Sequence, residues 1–458
     1  MQISLRDFRS FHKTDYIDIK AINLLVGENS SGKTSFLAAI RFVFGLFGGS
    51  VDNSFNRYPY FLGSFEDIAH RRGGRFGRAP VIAFSVRGEI SPSEIVSARD
   101  YVYPHPAKRK PEEASRSYQI DVAFENYRSQ PRLSALTFRS GNYRVHMTFP
   151  GGKPTFSVKT PAMDEARQIE GSRFGGADVL GLNFSFLRYM FTDLIFTISR
   201  QERQPASETS AVESDMAQLA AYFTAAQSQI SSEVYATAPV RTEPKRIYNP
   251  ADISPTTEGD NAPILLAQMS AFDEEKWKRV QAGLNSFGKA SGLFSSINVR
   301  HLEKRKNGPF QLTVSVGKSK SSIVDVGYGV SQALPIIYEI LVRDSSATFL
   351  FQQPEVHLHP QAQAELASFI FRSSKDKRHT VFMETHSDHV IDRIRMDVRD
   401  QKDVSVSPYV NLLYFRRNEL DTDIIQMSIT SDGIINNPPK GYRNFFLREQ
   451  ARSLGLTL

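Results

Sequence analysis

Apolar residues recur along the chain in three patterns, and each predicts a different kind of element. Short continuous runs at Ala21–Val26, Ala347–Phe351 and Thr380–Met383 predict strands covered on both faces. Alternating runs at Gln2–Leu5, Tyr16–Ile19, Val81–Val86, Tyr118–Phe124, Arg132–Arg139, Tyr143–Phe149, Ile297–Val299 and Phe310–Val316 predict strands with one face on a core. Helical spacing runs through Ser35–Phe44, Phe184–Ile198, the alanine-rich Ala217–Gln229, Asp273–Phe287 and Ala333–Leu341.

Breaks in these patterns set the expected connections. Phe8–Phe11 turns the first strand into the second, and Phe44–Ser50 is expected to break the first helix. Residues 51–80 read as irregular, Arg200–Glu213 as a polar loop, and 236–263 as a connector carrying Pro239, Pro244, Pro250, Pro255 and Pro263. The tail reads as strands Asn411–Phe415 and Ile424–Ile429, a turn at Ser431–Gly433, and a terminal helix with Phe445, Phe446 and Leu447. No heptad pattern is sustained, which predicts no long coiled-coil arm.

The first chemistry sits between the strand at Ala21–Val26 and the helix at Ser35–Phe44. Gly27-Glu28-Asn29-Ser30-Ser31-Gly32-Lys33-Thr34 fits G-x-x-x-x-G-K-[ST] at every fixed position. Glycines let a backbone wrap a phosphate closely, and N–H groups at the helix start favour an anion. In such a loop Lys33 reaches the β- and γ-phosphates and the Thr34 hydroxyl ligates magnesium. The bland alternative is a chance glycine turn, against which the strand, loop and helix stand in register.

Further chemistry appears after residue 320. Val326-Gly327-Tyr328-Gly329-Val330-Ser331-Gln332 reads as a glycine-rich loop opening a helix at Ala333, with Pro335 in that helix's first turn. Alone this motif is weak. The apolar run Ala347–Phe351 ends in Gln352-Gln353-Pro354-Glu355, and Thr380–Met383 ends in Glu384-Thr385-His386-Ser387. Two adjacent strands with polar ends form the usual crevice of an α/β sheet. His357 and His359 lie two apart without a supporting acid at helical spacing, so a structural role is favoured over zinc.

Composition narrows the class. The 458 residues suggest two or three domains, and 40% hydrophobic with 23% charged residues is a globular composition. No apolar run is long enough for a membrane span, and Met1 leads into a strand rather than a signal peptide. Without cysteine, disulfides and thiolate chemistry are excluded. A cytoplasmic protein is expected. A formal charge of +7 permits nucleic-acid contact without demonstrating it. Arg71, Arg72, Arg75 and Arg78, with Lys108, Arg109 and Lys110, suit either a DNA backbone or solvated loops. Asp421-Thr422-Asp423 could be a metal pair, but a hairpin turn is favoured.

Taken together, the phosphate loop, the glycine-rich segment, "QQPEVHLHP" and "ETHS" resemble ABC-type ATPases of the SMC, RecF and OLD group. The closest likeness is to small bacterial members without long coiled coils that accompany phage-defence genes. The resemblance covers roughly residues 1–70 and 321–400, and Leu62–Ile68 and Pro239–Tyr248 echo the same members. It implies an α/β fold: an ABC-type P-loop NTPase head with an inserted, largely antiparallel β and helical lobe. The implied parts are an N-terminal head segment at 1–95, the lobe and connector at 96–320, and a C-terminal head segment with short tail at 321–458.

The resemblance also assigns roles. Gly27, Glu28, Asn29, Ser30, Ser31, Gly32, Lys33, Thr34 and Ser35 would hold ATP, with Mg2+ on Thr34. Gly327, Gly329, Ser331 and Gln332 would form the signature that caps the nucleotide of a second, head-to-tail copy. His386 would be the switch histidine. One departure stands out: where such ATPases carry two acids, this chain has Gln352 and Gln353. An amide keeps an acceptor but loses the charge, and it is a poor general base. Glu355 and Glu384 are the remaining candidate acids.

The expected function is an ATP-driven dimeric switch, in anti-phage defence or on DNA, acting with a separate effector such as a nuclease. Alternatives are a non-hydrolysing scaffold, a DNA-repair ATPase and, less favoured, a transporter's ATPase subunit.

Overall fold

The computed structural model describes residues 1–48, 55–72, 77–102, 114–150, 154–170, 206–230, 233–239, 243–252, 261–303, 308–401, 409–439, 442 and 452, without the side chains of 206–211 and 213. β1 (Gln2–Phe8), β2 (Phe11–Lys13) and β3 (Ile17–Asp18) precede β4 (Ile22–Gly27), and α1 (Lys33–Gly48) follows the phosphate loop. β5 (Asn56–Arg57), β6 (Tyr60–Phe61) and the one-turn α2 (Phe65–Ile68) come next. β7 (Val81–Ile90), α3 (Pro92–Val102), β8 (Arg116–Tyr127), β9 (Gln130–Ser140), β10 (Tyr143–Thr148), β11 (Thr155–Lys159) and β12 (Arg167–Glu170) lead to α4 (Ala206–Ile230).

β13 (Val234–Thr237), α5 (Ala262–Phe272) and α6 (Glu274–Ser291) follow, then the small meander β14 (Ser296–His301), β15 (Phe310–Val316) and β16 (Ser319–Ser322). The chain closes with α7 (Tyr328–Val342), β17 (Thr348–Gln352), α8 (Pro360–Lys377), β18 (Thr380–Glu384), α9 (Asp388–Asp400), β19 (Val410–Asn418) and β20 (Asp421–Ser428).

Two sheets organise these elements. One is antiparallel, in the order β12-β11-β10-β9-β8-β7-β1-β2, with β3 also on β1. The other has the order β13-β17-β18-β4-β19-β20 and is parallel except for its last strand. The second sheet is covered on both faces. Leu25, Leu350, Phe382, Leu413 and Phe415 face a core shared with α1, α4 and the antiparallel sheet. Leu24, Val26, Phe349, Phe351, Val381 and Met383 face the opposite core, built with α5 to α9. Alternating side chains therefore meet apolar neighbours on both sides, which is why these strands read as unbroken apolar runs.

α1 is the beam between the sheets. Phe36 is fully buried and meets the rings of Phe11, Phe382 and Phe415. Further along, Phe42 stacks on Phe55 at 3.7 Å between centroids and sits edge-on to Phe124.

Several expectations change. α1 runs through Gly45 to Gly48 because Leu46 and Phe47 are buried; core contacts outweigh the helix-breaking propensity of Gly45. Residues 206–213 are helical, not a loop: the helix starts about three turns before Ala217, and Val212 and Met216 continue its buried face in that direction. Ala236 and Thr237 belong not to a connector but, with Val234 and Tyr235, to the edge strand beside β17. α7 begins at Tyr328, five residues early, so Pro335 lies inside it rather than in its first turn. Val330, Ala333, Leu334 and Ile337 are all buried, and that apolar face draws the glycine segment into the helix. α3 and α5 were not expected. Phe184–Ile198, the basic turn at 304–307, the terminal Phe445–Leu447 helix, Arg75, Arg241, and Lys108, Arg109 and Lys110 lie outside the described residues.

Asp421 opens the second strand of a hairpin, paired with Asn418, in agreement with the turn reading. Among the described residues no helix is long and apolar enough to cross a membrane.

Phe36→Ala should cost about 3–5 kcal/mol of stability by denaturant unfolding. Phe61→Ala, at a ring 68% exposed, should stay within about 0.5 kcal/mol of the parent.

Candidate functional site

The site starts at the end of β4. Gly27 has φ 137°, and a side chain there would place its Cβ 2.2 Å from the Phe415 carbonyl oxygen of β19. Only glycine lets the chain leave the sheet at this point. Ser30 (φ 59°) and Gly32 (φ 94°) complete the curl, and the Phe36 N–H donating to Gly32 O at 2.9 Å starts α1. A Cβ on Gly32 would lie 2.6 Å from Ser10 Oγ, so the loop is pressed against the β1–β2 hairpin.

Lys33 is 3% exposed and donates to Gly27 O at 3.1 Å and to Glu28 O at 2.6 Å. Its ammonium stands 4.0 Å from Glu384 Oε1, while the Thr34 hydroxyl donates to Glu384 Oε2 at 3.0 Å. Burial pushes Lys33 below the ordinary lysine value, opposed by the charges of Glu384 and Glu28. Burial likewise pushes Glu384 above the usual carboxylate range, opposed by Lys33 and the Thr34 hydrogen bond. Each charge thus opposes the shift that burial imposes on the other.

Ser30 to Ser35 line a cleft of about 500 Å³ with Glu384. That is a volume suited to a small ligand. Glu28 and Asn29 are exposed on the loop outside this lining. The cleft is lined by five basic and two acidic side chains: Arg9, Lys33, Arg71, Arg78 and Arg417 against Asp67 and Glu384. The Ser10 and Ser31 hydroxyls also line it, buried and without a hydrogen-bond partner among the described residues. Unmet donors beside cationic groups are what polyphosphate oxygens would satisfy. Sequence reasoning missed Arg9, Ser10, Asp67 and Arg417. Their signal is conformational: Arg9 has φ 53° in the hairpin tip that faces the loop.

Glu355 is not at the cleft. It is buried, and its Oε1 accepts the Thr385 hydroxyl at 2.8 Å and the His386 N–H at 3.0 Å. It braces the β18 turn rather than touching a ligand. His386 keeps much of its surface in solvent, and partial desolvation, with the Lys33 charge second, lowers its pKa. Gln352 is buried and paired in register with Glu384. Gln353 adopts φ 42°, with its N–H on Glu384 O at 2.8 Å. Neither glutamine lines the cleft.

The signature segment stands farther along the same edge. Gly327 and Tyr328 are exposed, whereas Gly329, Ser331 and Gln332 are buried. Ser331 Oγ donates to Tyr328 O at 2.8 Å. A Cβ on Gly329 would meet His357 O at 3.1 Å, and the Tyr328 ring lies edge-on to His357. His357 thus belongs to the turn that packs on the signature, and His359 N-caps α8. Among the described residues no group of three His, Asp or Glu side chains is arranged for a metal.

A family model described as an AAA ATPase domain matches residues 192–391, and another described as an AAA domain matches residues 2–157. Both matches are to AAA-type ATPase domains, and they take in Gly27–Thr34 on one side and Gly327–Gln332, Gln352, Gln353 and Glu384 on the other. No curated protein matches it in sequence. Solved structures similar to this chain include an Smc head bound to the C-winged helix domain of ScpA, 12% identical over 93% of this chain and 98% of that one, with a TM-score of 0.43. Another is an Smc head with an extended coiled coil bound to the C-terminal domain of ScpA derived from Pyrococcus furiosus, 12% identical over 98% of each chain, TM-score 0.41. The SMC head domain from Thermotoga maritima is 11% identical over 93% of this chain and 97% of that one, TM-score 0.34.

ATPase domains of this kind bind nucleotide, generally with Mg2+. The donors present fit both. Lys33, the loop amides and the orphaned hydroxyls suit phosphate, and the Thr34 hydroxyl and Glu384 carboxylate are hard oxygen donors of the type magnesium takes.

Glu355→Gln should cost about 1.5–3 kcal/mol by chemical denaturation, the loss of hydrogen bonds to a charged acceptor. Thr385→Val, which removes one of the two donors, should cost less than Glu355→Gln.

Proposed function

We propose that this chain is a nucleotide-gated pairing switch. One copy holds ATP in the Lys33 cleft, and the Gly327–Gln332 segment of a second copy closes over it, head to tail. The observation that carries this reading is the placement of the two motifs. They occupy one rim of the sheet, linked through the Gln353–His357 turn, yet no signature residue lines the cleft of its own chain. An exposed helix start with a glycine N-cap suits an anion presented from outside.

The resemblance to defence-associated members extends the proposal to an anti-phage role with a separately encoded effector, such as a nuclease. Arg71 and Arg78, which on sequence grounds suit either a DNA backbone or a solvated loop, line the cleft, and Arg72 pairs with Asp7 at 3.1 Å. Their first ligand in this reading is the triphosphate rather than a nucleic-acid backbone.

A second reading, a scaffold that binds ATP without turning it over, is favoured by the two amides at the end of β17. A neutral glutamine can orient a water but cannot take its proton efficiently.

ATP should shift the solution mass of the protein from one copy toward two. Lys33→Ala should abolish the shift and lower ATP affinity on the order of 10- to 100-fold. Gly327→Glu is the sharper variant, since an added Cβ meets nothing within 4 Å among the described residues of its own chain. It should leave ATP binding intact and abolish pairing, because it sets a carboxylate against the partner's triphosphate. Pairing that persists in both variants would sink the switch. Single-turnover hydrolysis in the parent protein would reject the pure scaffold.

A further inference from the structure

We propose that the acid positioning the divalent cation of the bound triphosphate is Glu384, at the end of β18, while the end of β17 supplies only neutral amides. This inference rests on the nucleotide-binding reading above and names how its metal is held. The strand order β17-β18-β4 places β18 directly beside the phosphate-loop strand and β17 one strand farther away. Gln352 and Glu384 are register partners, so an acid at Glu384 is one strand spacing, about 4.8 Å, nearer the loop than one at Gln352.

The side-chain contacts point the same way. Glu384 is 6% exposed, lines the cleft, and takes the Thr34 hydroxyl on one carboxylate oxygen at 3.0 Å. Its other oxygen faces Lys33 Nζ across 4.0 Å, beyond ordinary hydrogen-bond reach. A buried carboxylate with one hydroxyl and one distant ammonium is under-compensated. It lines the cleft, where a cation arriving with the triphosphate supplies the missing charge. Gln352 is equally buried but does not line the cleft. The competing role for Glu384 is a brace that holds Lys33 and Thr34 in place, and a glutamine could brace nearly as well as a glutamate.

The test is triphosphate affinity measured with a fluorescent ATP analogue in EDTA and again in Mn2+, with Mn2+ binding followed by its paramagnetic resonance. In the parent protein Mn2+ should tighten the analogue. In Glu384→Gln the affinity in EDTA should stay at or above the parent's, which also certifies the fold, while the Mn2+ enhancement falls about 10- to 100-fold. Gln352→Ala should keep the full enhancement. An unchanged Mn2+ enhancement in Glu384→Gln, or its loss in Gln352→Ala, overturns the assignment and leaves nucleotide binding standing. A parent protein that binds the analogue under neither condition overturns the nucleotide reading itself.

Discussion

The structure depends on one strand being sealed from every side. β4 lies between β18 and β19, and its side chains enter two separate apolar cores. A strand with no free edge and no free face cannot shift register without moving a whole hydrophobic set to the wrong core. The phosphate loop inherits that rigidity at Gly27, where the backbone passes so close to Phe415 that no side chain fits. α1 then leaves the loop with Phe36 locked among three other rings. Preorganisation of the anion site is thus a consequence of core packing on both faces of a single strand.

Electrostatics at the rim follow from the same sheet. Parallel strands bring the ends of β17, β18, β4 and β19 to one edge, so the polar turns after them must share a confined space. They satisfy one another in sequence. Glu384 takes the Thr34 hydroxyl, Glu355 holds Thr385 and the His386 amide, and His357 meets Tyr328 at the start of α7. Contacts therefore run without interruption from phosphate loop to signature. A change of charge at the first has a packed route to the second.

How much of this could be read from the sequence depended on whether the deciding contact was local. Gly27 to Thr34 and the strands before Gln352 and Glu384 were legible because strand, loop and helix follow one another within about ten residues. The parallel sheet and its antiparallel neighbour were legible from the contrast between continuous and alternating apolar runs. The start of α7 was misplaced because Gly327 and Gly329 argue locally for a loop, while the burial of Val330 and Leu334 decides otherwise. Arg9 and Arg417 could not be assigned to the site. They reach it from two hairpin tips about four hundred residues apart, and nothing in either tip announces the other. Glu384 was legible as a candidate acid but not as the partner of Thr34, since that contact depends on which strand lies next to β4.

The charge balance of the cleft bears on how such a switch could be reset. Five cations face two carboxylates, a balance that favours a polyanion there, diphosphate as well as triphosphate. Replacing acids with Gln352 and Gln353 removes negative charge from the neighbourhood, which deepens the same bias while weakening general-base chemistry. Under that bias, loss of the terminal phosphate would not empty the cleft. What it would change, in the pairing proposal, is the group offered to the exposed start of the second copy's α7. In the pairing proposal, release is then governed by the interface rather than by nucleotide departure, and a slow chemical step is compatible with a long-lived closed state.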